Sequence, residues 1–400
     1  MALLPVADAL ARVIAGVEPT AAETVSLLQA NRRILAAPVA ARLTQPPFDC
    51  SAMDGYAVRH ADVAAVPSRL VVIGEAAAGH SSSGNIGAGQ CVRISTGAPV
   101  PVGADCIIIQ EDTERDGDAV VVKDAGTAGQ HIRRRGFDFA TGLPMIDARR
   151  SLEARAIALA AAAGHGSLSV RRRPVVAILA TGDELVEPGE TPAPDQIVSS
   201  NSYGLAAMVE SAGGEPRLLG IARDTRPSLL AKIADADDAD ILVTIGGASV
   251  GDHDLVGPML QESAAVLDFW RIAMRPGKPL MFGRRGQQRV LGLPGNPVSC
   301  LVTARVFLVP LIRAMLGLDA TTDLEAAVLS APLEANGPRQ HYMRASLVLR
   351  GAALPTVAPL RSQDSAALSL LASAGCLIVR PAGAPAASEG TEVQILRLDT

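Results

Sequence analysis

Apolar residues recur with two different periods along this chain, and the changes between them mark its organisation. Over the first 44 residues the spacing is helical, at Leu10, Val13, Ile14 and Val17 and again at Val25, Leu27, Leu28, Ile34 and Leu35, which predicts an amphipathic helix over Leu3 to Val17 and more helix behind it. Pro46-Pro47 stops that pattern. Between Tyr56 and Lys123 the signal turns to short β runs, Leu70 to Ile73, Cys106 to Ile109 and Val120 to Val122, with Asp116-Gly117 as a hairpin turn. These runs predict a small β domain. An Ala-rich helix over residues 151–163, closed by Gly164, is expected to pack back on the N-terminal helices and so make the β domain an insertion.

From Pro174 to about Leu318 buried-type strands alternate with helices. Val175 to Leu179, Arg217 to Ile221, Asp240 to Ile245 and Val290-Leu291 read as strands, while Asn201 to Ser211 and the apolar stretch Val298 to Leu316 read as helices. Such alternation implies a doubly wound parallel sheet, which binds ligands beyond the carboxyl ends of its strands. Past it, alternation in Met343 to Leu349 and Val393 to Leu398 predicts a small C-terminal β domain. The fold class expected is α/β multidomain, with borders at 1–44 plus 130–170 for a helical linker domain, 45–129 for the inserted β domain, 171–320 for the α/β domain and 321–400 for the C-terminal domain.

Composition narrows the function. With 48% hydrophobic residues but only 2% aromatic, the composition predicts aliphatic cores and argues against aromatic stacking platforms for bases. A net charge of −5 argues against a broad nucleic-acid surface, so Arg133 to Arg135 and Arg171 to Arg173 read as solvated segments. The five cysteines form no CxxC pair, which points away from disulfides and thiolate zinc and toward a reducing cytoplasm. No apolar run reaches the ~20 residues of a membrane span and no basic segment precedes the apolar N-terminus; a soluble cytoplasmic protein is expected.

The candidate chemistry lies at the strand-to-helix loops. Residues 291–299, LGLPGNPVS, lead into a helix whose first N–H groups and positive dipole end favour an anion. Two similar loops follow Val175 to Leu179 and Asp240 to Ile245, and Ser249 and Ser299 inside such loops read as hydrogen-bond donors to phosphate. Carboxylates cluster there too. Asp183 and Asp252 are ordinary capping or turn residues when taken singly, whereas Glu184, Asp224 and Asp254 are better candidates to hold a Mg²⁺-type cation between acid and phosphate. Trp270 to Pro279 reads as a strand entering a turn, with Arg271 and Arg275 on one face near Lys278, a grip for an oxyanion. His253 has no second histidine near it, and no serine or cysteine motif supports nucleophilic catalysis.

Six ordered motifs, Pro47 to Val58 (PFDCSAMDGYAV), Ile94 to Pro101, Thr181 to Leu185, Gly246 to Asp254, Arg275 to Pro279 and Gly292 to Ser299, together resemble the MoeA family, the molybdopterin molybdenumtransferases, similar to the E domain of gephyrin. The resemblance runs over nearly the whole chain. It implies a doubly wound molybdopterin-binding α/β domain with an inserted β domain, a helical linker domain and a small C-terminal β-barrel, in an elongated homodimer. The implied reaction inserts molybdate into adenylylated molybdopterin, with Mg²⁺ aiding release of AMP. On the family pattern the site lies between protomers, with Asp54 and Thr96 from one chain and Glu184, Asp224 and Asp254 from the other. Gly246, Gly247, Ser249, Pro294, Gly295, Asn296, Pro297 and Ser299 would line the pterin phosphate path; Arg271, Arg275 and Lys278 would attract the oxyanion, joined by Arg344 and Ser365. Transient contact with the molybdopterin adenylyltransferase and with apo-molybdoenzymes is implied as well.

The chain departs from the family pattern at Arg271 and Arg275, where lysines are common, at Cys50, where Asn is usual, and at Ala248, where Val is usual. Arginine keeps the charge but exchanges a point donor for a planar fork. Two other functions compete: adenylyl transfer of the MogA type, and a pterin-binding scaffold without turnover.

Overall fold

The computed structural model describes residues 3–80, 82, 84–247, 255–321, 323–350 and 353–398. The chain forms two compact units, Thr24–Val170 and a second built from Met1–Glu23 with Arg171–Thr400.

In the unit Thr24–Val170, a six-stranded sheet runs in the order Cys106–Ile109, Gly55–Val58, Gln90–Ile94, Ser68–Ala76, Ala119–Val122, Thr113–Asp116. Alternation serves both faces, as period-two strands require: Tyr56, Val58, Leu70, Ile108 and Val120 fill one core, and Ala57, Val92, Ile94 and Ile107 fill another. The predicted hairpin is present, with Asp116 opposite Ala119 and Gly117 at φ +60°. The predicted helix over residues 25–35 is not. Ala22–Ser26 is a strand and Leu27–Gln29 a single 3₁₀ turn. Ala30, Leu35 and Val39 bury themselves from chain outside any α-helix against the helix Ala154–Ala162, through Leu152, Ala156 and Ala160, while Leu28 is 95% exposed. Helical spacing was a weak guide here because tertiary burial overrode it. The Ala-rich helix therefore packs on non-helical chain.

In the other unit, the N-terminal helix is Val6–Ile14, with Val6, Ala9 and Val13 buried. The α/β domain comprises strand β1 (Val175–Thr181), helix α1 (Asn201–Ser211), β2 (Glu215–Ala222), α2 (Arg226–Ala234), β3 (Ile241–Ile245), α3 (Val256–Glu262), β4 (Val266–Arg271), β5 (Met274–Arg275), β6 (Pro279–Arg285), β7 (Gln288–Leu293) and α4 (Pro297–Met315). Its sheet order is β2-β1-β3-β7-β6-β4. The first four are mutually parallel, and β6 is antiparallel to both its neighbours. The near-continuous apolar runs of β1, β3 and β7 follow from burial on both faces. Because β2 and β3 flank β1 on opposite sides, the winding reverses between β1 and β3, the place where doubly wound sheets bind ligands beyond the carboxyl ends of their strands.

Helix α4 is long and apolar enough to cross a membrane by length and composition, yet most of it is buried within the fold. It carries Arg305 into the core, where Nε donates to the carbonyl of Arg397 at 3.2 Å. The C-terminal strands Leu324–Leu329, Gln340–Arg350, Ala353–Pro359, Cys376–Arg380 and Glu392–Arg397 close into a five-stranded barrel, each paired with two of the others. Ala327, Leu329, Ala345, Val357, Cys376, Ile378 and Ile395 fill it.

Candidate functional site

Three loops meet where the sheet reverses its winding. Gly246, at the end of β3, donates its amide to the carbonyl of Leu293 at the end of β7 (3.0 Å) and has φ +87°. A side chain there would be both strained and crowded, since its Cβ would lie 2.9 Å from the Thr181 carbonyl at the end of β1. Gly295 packs on Gly246 in turn. Thr181 Oγ1 donates to the Ile245 carbonyl at 3.2 Å and ties β1 to β3. The sequence reading missed Asn201: its Nδ2 donates to the Gly295 carbonyl at 2.7 Å and so holds the PGN turn from the start of α1. The signal was available in Ser199-Ser200-Asn201, a polar run opening a helix directly beneath that loop.

Asp183 and Glu184 follow β1, and Asp224 follows β2, all exposed at the same edge. The Asp224 amide donates to Asp183 Oδ1 at 3.2 Å, and the Arg223 guanidinium donates to the Asp183 carbonyl at 3.1 Å. Asp183 thus ties the loop after β1 to the loop after β2, rather than capping a helix or closing a local turn. Desolvation, and then the negative charges of Asp183 and Glu184, hold the Asp224 carboxyl above its ordinary pKa. Crowded hard-oxygen donors of one sign are the donor set that a Mg²⁺-type cation suits. Among the described residues, however, no group of three or more acidic, histidine or cysteine side chains is arranged to hold a metal. Asp254 and Ser249, with Asp252 and His253, lie in 248–254, outside the described residues.

The start of α4 differs from expectation. Its amides were expected to be free for an anion; instead the Val298 N–H donates to the carbonyl of Ser365 (3.1 Å), and Asn296 Nδ2 donates to Ser365 Oγ (3.2 Å). Pro297 supplies no N–H, and Ser299 is buried. Arg344 explains why Ser365 stands there. Only 1% exposed, it donates from Nη1 to the Ala367 carbonyl and from Nη2 to the Ser362 carbonyl, both at 3.1 Å, while Gln363 brackets its backbone. Its guanidinium braces the loop that presents Ser365.

Arg271 and Arg275 do not share a face. The expected continuous strand breaks at Ile272-Ala273, where Ala273 donates to the Leu4 carbonyl (2.7 Å) and Ile272 to the Lys278 carbonyl (3.0 Å). Arg271 therefore ends the edge strand β4, whereas Arg275 sits in β5, paired in parallel with His341 of the barrel. Alternation cannot carry across a break that moves the chain from one sheet to another. Gly277, at φ +96°, faces Thr303 Oγ1 of α4 with no room for a Cβ, which fixes the turn before Lys278. Arg271, Arg275 and Lys278 are all exposed.

In the unit Thr24–Val170, Asp54 Oδ1 accepts hydrogen bonds from the Thr96 amide (2.7 Å) and Thr96 Oγ1 (3.0 Å). Those two bonds, with the positive charge of Arg93 adding to them, hold this exposed carboxyl below the usual carboxylate range. Gly55 is not an ordinary turn glycine. It opens a central strand, and the Ile108 carbonyl occupies the space a Cβ would need. Arg93 lies 5.0 Å over the Tyr56 ring and donates to Gln110 Oε1 at 2.6 Å.

Comparison with known proteins agrees across the chain. Family profiles match residues 4–164 as "MoeA N-terminal region (domain I and II)", 177–314 as "Probable molybdopterin binding domain" and 326–398 as "MoeA C-terminal region (domain IV)". The molybdopterin molybdenumtransferase of Nostoc sp. PCC 7120 is 38% identical over 386 residues, covering 94% of this chain and 88% of the relative. That of Bacillus subtilis strain 168 is 32% identical over 403 residues, covering 98% and 94%. The crystal structure of the molybdopterin biosynthesis MoeA protein from Pyrococcus horikoshii superposes with a TM-score of 0.84 at 31% identity, covering 99% of each chain.

Proposed function

The chain belongs to the MoeA family of molybdopterin molybdenumtransferases, and from that premise we propose that it inserts molybdate into adenylylated molybdopterin with Mg²⁺-dependent release of AMP. Its place is in molybdenum cofactor biosynthesis, as an enzyme. The observation that carries the finer reading is the acid cluster of Glu184 and Asp224 beside Gly-lined loops at the winding reversal of the sheet.

Glu184, Asp224 and Asp254 would hold the Mg²⁺, which when bound neutralises phosphate charge and polarises the bond to the leaving nucleotide. Gly246, Gly247, Pro294, Gly295, Asn296 and Pro297 let backbone approach the pterin phosphate without side-chain obstruction, with Ser249 as a hydroxyl donor. Arg275 and Lys278 draw in the oxyanion. Arg344 acts through Ser365, which fixes Asn296. Asp54, kept ionised by Thr96, serves better as an oriented hydrogen-bond acceptor than as a strong base. In a homodimer, Asp54 and Thr96 of one protomer would serve the crevice of its partner. A cytoplasmic setting fits five free, buried cysteines. Hand-over contacts with an adenylyltransferase and with apo-molybdoenzymes follow from the adenylylated substrate and the finished cofactor.

The test is AMP release from adenylylated molybdopterin under Mg²⁺ titration. Asp224→Asn is expected to lower the rate by roughly 10²-fold at limiting Mg²⁺ and to recover part of it at high Mg²⁺. Unchanged activity at limiting Mg²⁺ would remove Asp224 from the metal role.

A further inference from the structure

The open end of the C-terminal barrel holds a cavity of about 320 Å³ whose lining includes Arg275, Asn336, His341, Gln363, Arg380 and Glu334. Arg380 is the unusual member. It is 7% exposed, its Nη2 donates to the Pro385 carbonyl, and its Nε is buried without a hydrogen-bond partner among the described residues. That N–H is enclosed and does not itself face the cavity. Arg275 adds a second guanidinium, and His341, 6% exposed, adds a ring held neutral by burial and by Arg275, Arg339 and Arg344 around it. Glu334 is the single carboxylate of the lining and is exposed. Lys278, Arg344 and Ser365 do not line this cavity.

We propose that the barrel mouth is a separate oxyanion-binding subsite, in which Arg380 and Arg275 bind a tetrahedral dianion and His341 completes its hydrogen bonds. Charge selects the class: two guanidiniums on one cavity favour a dianion, and the cavity has room for the ion with part of its hydration shell. Only Arg275 is shared with the transferase reading, so the two stand or fall separately.

Equilibrium dialysis of the full chain against molybdate, sulfate and phosphate tests it, with melting temperature as a folding control. Arg380→Met and His341→Gln should each weaken one binding event by at least tenfold, roughly the loss of one charge-assisted hydrogen bond, whereas Lys278→Met should leave that event intact. Arg380→Lys, which keeps the charge and the fold, should fall between. Selective binding of molybdate would mark a store for the substrate; equal binding of all three would mark a general oxyanion subsite. If binding is lost in Lys278→Met and unchanged in Arg380→Met and Arg380→Lys, the anion sits at the crevice loops and the subsite does not exist. AMP release by the same variants separates the readings, because anion binding that depends on Arg380 in a protein without transferase activity would uphold the subsite alone.

Discussion

At the residue scale the glycines were the least legible part of the chain and now explain the most. Asp54-Gly55 reads as a turn dipeptide, yet Gly55 is required because the Ile108 carbonyl lies where a Cβ would be. Gly55→Ala should destabilise the unit by roughly 2–3 kcal/mol through forced displacement of a central strand, measurable as a lower urea midpoint; an unchanged midpoint would show that the strand yields freely. Gly246→Ala meets both a left-handed φ and the Thr181 carbonyl, so it should depress AMP release more than it lowers melting temperature. The carboxylates were legible from their place at loop tips. Asp54's partner Thr96 was not, because 42 residues separate them and only the resemblance joined them.

At the scale of elements, period-two and buried runs named the strands of the α/β domain well, and Asn201–Ser211 is the helix its spacing predicts. Two expectations failed for one reason, that a local period says nothing of what interrupts it. The segment after Pro19 yields to tertiary burial, and the strand through Arg271 breaks where Leu4 inserts its backbone. The bracing of α4 by the barrel was invisible as well, since it depends on a buried arginine that acts through Ser365, which lies 69 residues from Asn296 in sequence. Arg344→Met should free the loop carrying Ser365 and lower the rate of AMP release about tenfold with a smaller change in KM; an equal loss of fold stability and of rate would reduce Arg344 to a structural part. His341 gives the barrel a pH signature. Burial, with Arg275, Arg339 and Arg344 beside it, depresses its pKa from 6.5 to about 4, so the unfolded chain binds the proton first. Stability should therefore fall as pH drops from about 6.5 toward 4, by up to roughly 3 kcal/mol. His341→Gln should flatten that part of the stability curve, and an unaltered curve would assign the loss to other groups.

At the scale of the whole molecule, the order of motifs spoke earlier than any one of them, because six loops that each resemble common turns match one family only when read in sequence. Structure adds that the loops of the α/β domain converge, that the barrel closes and presents Ser365 to α4, and that Asp54 is held ionised in the other unit. The central claim joins these parts in one reaction. Its most direct measurement supplies purified protein with adenylylated molybdopterin and Mg²⁺, with molybdate present or omitted, and follows both AMP and reconstitution of an apo-molybdoenzyme. Molybdate-dependent AMP release that yields active molybdoenzyme is the predicted result; tight binding of the pterin with no AMP and no active enzyme would contradict it.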